Sequence, residues 1–109
     1  MNRDDLYIVH ILECIQKING FTGRDKDRFL SEVIIQDAVL RNLQTLAESA
    51  KRLSDELKDS MPHIRWAAIV GFRNLIVHDY LGVNPERVWE IIADSLPELD
   101  AALRPLAPK

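Results

Sequence analysis

A single cysteine, Cys14, leaves no partner for an internal disulfide, so nothing covalent staples this chain. Aromatic residues make up only 6% of it. A basic surplus is also missing. The formal charge is -3 at neutral pH, which excludes an electrostatically dominated nucleic-acid binder and requires any RNA contact to be local. No apolar run approaches the length of a membrane span, and the start Met-Asn-Arg-Asp-Asp has no apolar segment behind a basic head. The expectation is a soluble cytoplasmic protein without a membrane association. Repeats, low-complexity tracts and useful stretches of strand-like alternation are absent as well.

What is present is helical periodicity and 47% hydrophobic content over 109 residues, enough for one domain, 1–109, to bury a core. From about Asp4 to Ile18, Ile8, Ile11, Leu12, Ile15 and Ile18 fall at helical spacing. Asn19-Gly20-Phe21-Thr22-Gly23 is expected to stop that helix, with a short helical turn from Asp25. From about Glu32 to Lys58, Val39, Leu43, Leu46, Ala50, Leu53 and Leu57 are spaced 4, 3, 4, 3 and 4 apart, a heptad seam made for another helix. Pro62 is expected to end that segment and open the next, which runs to about Tyr80.

Beyond Leu81-Gly82-Val83, Asn84-Pro85 reads as an N-cap followed by proline at the first helical position. Val88, Ile92, Leu96, Leu99 and Leu103 then make one stripe. Ser95-Leu96-Pro97-Glu98 reads as a capping box that kinks or restarts the helix, and residues 104–109 as a frayed tail. The predicted class is all-α, an up-and-down bundle of four or five helices.

Within the segment from Ile64 to Tyr80, apolar nearly all round and expected to be the most buried helix, one stretch stands apart: Arg73-Asn74-Leu75-Ile76-Val77-His78-Asp79-Tyr80. A buried guanidinium, amide and imidazole cost several kcal/mol unless each is paired, so they persist where they pair with one another, a second chain or a ligand. On an ideal helix Asn74 and His78 are four apart, and the amide can fix the imidazole's tautomer. Arg73 and His78 lie about 140° apart round the axis and about 7.5 Å along it, so they do not converge automatically. Either the arginine bends, or two copies face each other across a dimer two-fold; the second arrangement is favoured here. Gly71, in mid-segment, is expected to admit another backbone closely.

Arginine with histidine, and no metal-ligand set, suits phosphodiester chemistry on RNA. The histidine moves protons near neutral pH, the arginine holds phosphate bidentately, and the 2′-hydroxyl is the internal nucleophile. His10 and Cys14, four apart, are too few for a metal site, and His63 adds no third convergent ligand, so neither metal nor cofactor is expected. Trp66 and Trp89 read as core anchors.

The pattern R-N-x-x-x-H-x-Y at Arg73, Asn74, His78 and Tyr80, preceded by Pro62-His63-Ile64-Arg65-Trp66, resembles the HepT toxins of the HEPN ribonuclease superfamily. Gln36-Asp37-Ala38, Asn42-Leu43, Val88-Trp89 and Leu96-Pro97-Glu98-Leu99 are similar too, so the resemblance spans most of the chain. It implies a HEPN-like homodimer with its cleft at the interface and metal-independent endoribonuclease action by Arg73 and His78, with Asn74 in support. It also implies the toxin half of a type VII toxin–antitoxin pair, whose partner, an MntA-type nucleotidyltransferase antitoxin, transfers AMP to Tyr80. The competing expectation is a non-catalytic HEPN module that keeps the motif for dimerisation, nucleotide binding or antitoxin docking.

Overall fold

The computed structural model describes residues 2–75 and 84–108, which are helical wherever they are regular; no strand occurs among them. Helix α1, Arg3–Thr22, opens on a capping box: Asn2 Oδ1 accepts from the Asp5 N–H at 2.8 Å, and the Asp5 carboxylate accepts from the Asn2 N–H. It runs past Gly20 and stops at Gly23, whose φ of 60° is the left-handed value that ends helices cheaply only in glycine. The stop thus falls within the expected stretch 19–23, at its second glycine, and the helix runs one turn beyond Ile18.

Asp25 caps α2, Lys26–Ser31. Gln36, buried in the next helix, donates to the carbonyls of Phe29 and Leu30 at 3.0 and 3.1 Å and so satisfies the end of α2.

Helix α3, Val33–Lys51, carries the seam, and Val39, Leu43, Leu46 and Ala50 are all fully buried. It lies along α1, whose Ile8, Ile11, Ile15 and Ile18 supply the facing side. The helix expected to continue to Lys58 breaks instead at residues 52–54. Ser54 accepts from the Leu57 N–H and caps a new short helix, α4, Asp55–Asp59. The Asp4 carboxylate accepts from both the Ser54 N–H, at 2.8 Å, and the Ser54 hydroxyl, at 2.6 Å, which ties the start of α1 to this break.

Pro62 does not open the following helix but sits in a turn. The Trp66 indole N–H reaches back to the carbonyls of Lys58 and Met61, at 3.1 and 3.2 Å, and folds the connection so that α5 begins at Trp66. Helix α5, Trp66–Val70, passes directly into a 3-10 turn, Gly71–Asn74. Of residues 64–75 only Ile64, Ile69 and Phe72 are buried. The expectation that this would be the most buried helix is thus overturned over its described part; that place belongs to α1 and α3. Ala67, Ala68 and Gly71 are exposed, and a Cβ added at Gly71 would meet nothing within 4 Å, so among the described residues no backbone uses the glycine for close approach.

Asn84 caps α6, Pro85–Glu90, as the Asn-Pro pair predicts, with its side chain accepting from the Glu86 N–H at 2.9 Å. A π-helical turn, Ile91–Ser95, joins it to α7, Leu96–Leu103. The predicted capping box is not formed, since Ser95 keeps helical angles and makes no side-chain cap. The wide turn accommodates Pro97 without a restart, because the π pattern relaxes the register against which a proline ring clashes. The stripe Val88, Ile92, Leu96, Leu99 and Leu103 is buried as read, and it closes the core over α1. A last 3-10 turn spans Arg104–Leu106, with Arg104 paired to Asp100 at 2.6 Å.

Candidate functional site

The 3-10 turn places the first half of the motif. Phe72 anchors it in the core, and the following residues, Arg73 and Asn74, are exposed. The turn closes when the Leu75 N–H donates to the Phe72 carbonyl at 3.1 Å; Leu75 then becomes extended, with φ -71° and ψ 120°. Its carbonyl is held by Gln44 of α3, whose Nε2 donates across 31 residues of sequence at 2.7 Å. Gln44 therefore fixes the direction in which the chain leaves toward His78.

Arg73 turns its guanidinium to α3 as well, with Nη1 3.8 Å from Oε1 of Glu48. Both side chains stay in water, 41% and 51% exposed, so the pair is loose and the charge remains open to a larger anion. The anticipated role of Arg73 as a buried guanidinium is thereby corrected: its charge was never desolvated. His78 and Tyr80 lie outside the described residues, and with them the Asn74–His78 contact. Nothing in Gln44 or Glu48 alone marks them in the sequence. Each is a polar residue beside the apolar seam, and its partner is remote along the chain.

On the other side of the same turn a cleft of about 460 Å³ opens between α5 and α6. Arg65, Phe72 and Leu75 contribute one wall, and Arg87, Glu90 and Asp94 the other. The lining thus brings two arginines and two acidic residues together with Phe72, Leu75 and Ile91, and Phe72 is the residue before Arg73 in sequence.

The remaining candidates separate. His10 is exposed and meets the edge of Tyr7 at 6.1 Å, whereas Cys14 is buried, and burial pushes its thiol above the usual range. His63 is exposed in the turn after α4. Among the described residues no three of His, Cys, Asp and Glu converge as a metal-ligand set. No described helix is long and apolar enough to cross a membrane. Both tryptophans are half-buried; Trp89 packs on Phe29 with ring centroids 5.7 Å apart.

The described residues are all-helical where regular and present an arginine and an asparagine on a turn, ahead of a histidine and a tyrosine in sequence, which defines a small helical domain with one exposed polar motif turn. Comparison with known proteins narrows the class. The pattern of the family described as Ribonuclease HepT-like matches residues 11–106, and the chain belongs to that family.

Among its relatives, a candidate RNase of Caldanaerobacter subterraneus is 31% identical over 107 residues, covering 94% of this chain and 93% of its own. A candidate ribonuclease HepT of Thermococcus cleftensis is 30% identical over 94 residues, covering 85% of this chain and 86% of its own. A protein of Methanocaldococcus jannaschii, named as a gamma-glutamylcyclotransferase and candidate RNase, is 32% identical over 95 residues. There the match takes in 86% of this chain but only 43% of the relative, so the chain spans less than half of that protein. No solved structure matches.

Proposed function

We propose that this chain is the toxin of a type VII toxin–antitoxin pair, a metal-independent endoribonuclease that uses Arg73 and His78. The observation that carries the reading is the intact R-N-x-x-x-H-x-Y motif within a chain matched to the HepT-like ribonuclease family from residue 11 to residue 106. It is supported by the exposed Arg73, free to exchange a loosely held carboxylate for a phosphate.

In this mechanism the ribose 2′-oxygen attacks phosphorus and the bond to the 5′-oxygen breaks. His78 takes the 2′-hydroxyl proton, and a protonated histidine returns one to the leaving 5′-oxygen. Arg73 holds the phosphoryl oxygens as charge develops, and Asn74 orients the imidazole. The products carry a 2′,3′-cyclic phosphate and a 5′-hydroxyl, and DNA, without the 2′-hydroxyl, is inert.

Arg73 and His78 of one chain do not converge automatically, whereas the reaction needs both at one phosphate, with His78 acting first as base and then as acid. A homodimer with the motifs facing across its two-fold supplies both. The uncovered apolar surface of α5, with Ala67 exposed and Trp66 and Val70 half-buried, supports such a partner. An MntA-type nucleotidyltransferase antitoxin would transfer AMP to Tyr80; the added bulk and negative charge repel the RNA backbone.

The test is incubation of unmodified protein with total RNA and matched DNA in excess EDTA, beside folded Arg73→Ala and His78→Ala. Cyclic-phosphate ends from the wild type alone, with DNA untouched, are expected. If clean wild-type protein leaves every RNA intact, the motif serves dimerisation, nucleotide binding or antitoxin docking instead.

A further inference from the structure

The cleft between α5 and α6 has more structure than a gap between helices. At about 460 Å³ it lies inside the roughly 300–1,000 Å³ range of small-molecule sites. Its chemistry is divided: Phe72 and Ile91 provide apolar surface, Arg65 and Arg87 bring a guanidinium from each wall, and Glu90 and Asp94 bring carboxylates from one wall. All four charged residues are exposed, so their heads remain accessible to a ligand.

Equal numbers of opposite charges make the cleft neutral. It is therefore poorly suited to a long run of phosphates, and well suited to one unit that carries an anion, a flat apolar face and hydrogen-bond donors together. A nucleotide is such a unit. Guanidinium groups bind phosphate bidentately, aliphatic and aromatic surfaces take a base face, and ionised carboxylates, which only accept, pair with base N–H groups.

Resting on the ribonuclease reading above, we infer that this cleft is a nucleotide subsite beside the scissile bond. Arg65 and Arg87 hold a flanking phosphate there, and Glu90 and Asp94 select a base that presents amino and imino donors. Phe72 and Leu75 line the cleft while flanking Arg73 and Asn74 in sequence, whereas the Arg73 guanidinium turns to α3, so a strand that passes over the 3-10 turn meets the cleft on one side and Arg73 on the other. Guanine is the preferred base, since its N1–H and exocyclic amine offer two parallel donors to one carboxylate. Uracil offers one.

The experiment uses the full chain and four substitutions, Arg65→Ala, Arg87→Ala, Glu90→Gln and Asp94→Asn. Affinity for a 2′-O-methyl oligonucleotide, which lacks the attacking hydroxyl, is measured by anisotropy over a salt series. The bases flanking the cuts are read by sequencing the 5′-hydroxyl ends of a digested random-sequence RNA. Each arginine substitution should weaken binding several-fold and lower the slope of log affinity against log salt by about 0.7, one single-strand phosphate contact. It should raise KM and leave kcat within about twofold.

Each carboxylate substitution should leave the salt slope alone and flatten a guanine preference beside the cut. A wild type that cuts RNA while either pair of substitutions gives an unchanged profile overturns the subsite and leaves the ribonuclease standing. A wild type that neither binds nor cuts overturns both.

Discussion

Arg73 keeps its charge in water, and this decides what its removal does. An exposed ion pair contributes about 0–1 kcal/mol, so substitution should barely touch stability while removing the phosphate grip. In the proposed mechanism Glu48 competes with phosphate for the same guanidinium. Glu48→Gln is accordingly expected to tighten RNA binding several-fold at low salt, with the gain fading near 1 M, where screening is nearly complete; titration of a 2′-O-methyl RNA checks it.

Cys14 behaves in the opposite way, because burial raises its pKa and the folded state keeps the thiol proton above the unfolded thiol's pKa. Between the two values the unfolded chain binds fewer protons, so stability is full below the ordinary thiol range and falls as pH rises through it. Urea melts across about pH 7–10 should show that decline, and Cys14→Ala, though destabilised by the lost packing, should show a flatter one.

At the scale of elements, the turn that Phe72 anchors in the core is aimed at its end by a hydrogen bond from a neighbouring helix. The Gln44 amide holds the Leu75 carbonyl at the point where the 3-10 turn becomes extended. Gln44→Leu leaves that half-buried carbonyl without its donor, at a cost of about 1–3 kcal/mol. The expected outcome is a lower Tm together with a fall in kcat larger than any change in RNA affinity, since the residues beyond Leu75 lose their aim.

Much of the element plan was legible from apolar spacing. The α1 stripe, the seam of α3, the Asn84-Pro85 start and the α6–α7 stripe all follow from which faces must be buried. What escaped were features set by partners distant in sequence. Ser54 breaks the long helix in concert with Asp4, fifty residues earlier, and Trp66 displaces the next helix start through carbonyls before Pro62. The motif itself was readable from its residue types. The exposure of Arg73 and Asn74 was not, because circumference says only that a face is apolar, and not whether this chain or another covers it.

For the molecule as a whole, a net charge of -3 makes long-range attraction to RNA weak, so recognition rests on a few local cations. The proposed homodimer gives this reading its sharpest check. If a working site takes Arg73 from one protomer and His78 from the other, Arg73→Ala and His78→Ala chains, each inactive alone, complement when mixed. Half of randomly exchanged dimers are mixed, and one of the two sites in each is intact. Recovery of up to about a quarter of wild-type activity is expected, measured after exchange through mild denaturant. No recovery would place both residues of a site on one chain.

The π turn between α6 and α7 has a consequence for insertions and deletions. Val88, Ile92 and Leu96 step by four twice, which overshoots a regular α-helix by about 80°. The wide turn at Ile91–Ser95 takes up the excess and returns Leu96 to the core. It acts as a shim one residue thick. A chain shortened by one residue there should bury the same stripe with plain α-helix, so a single deletion within Ile91–Ser95 is expected to leave the fold intact.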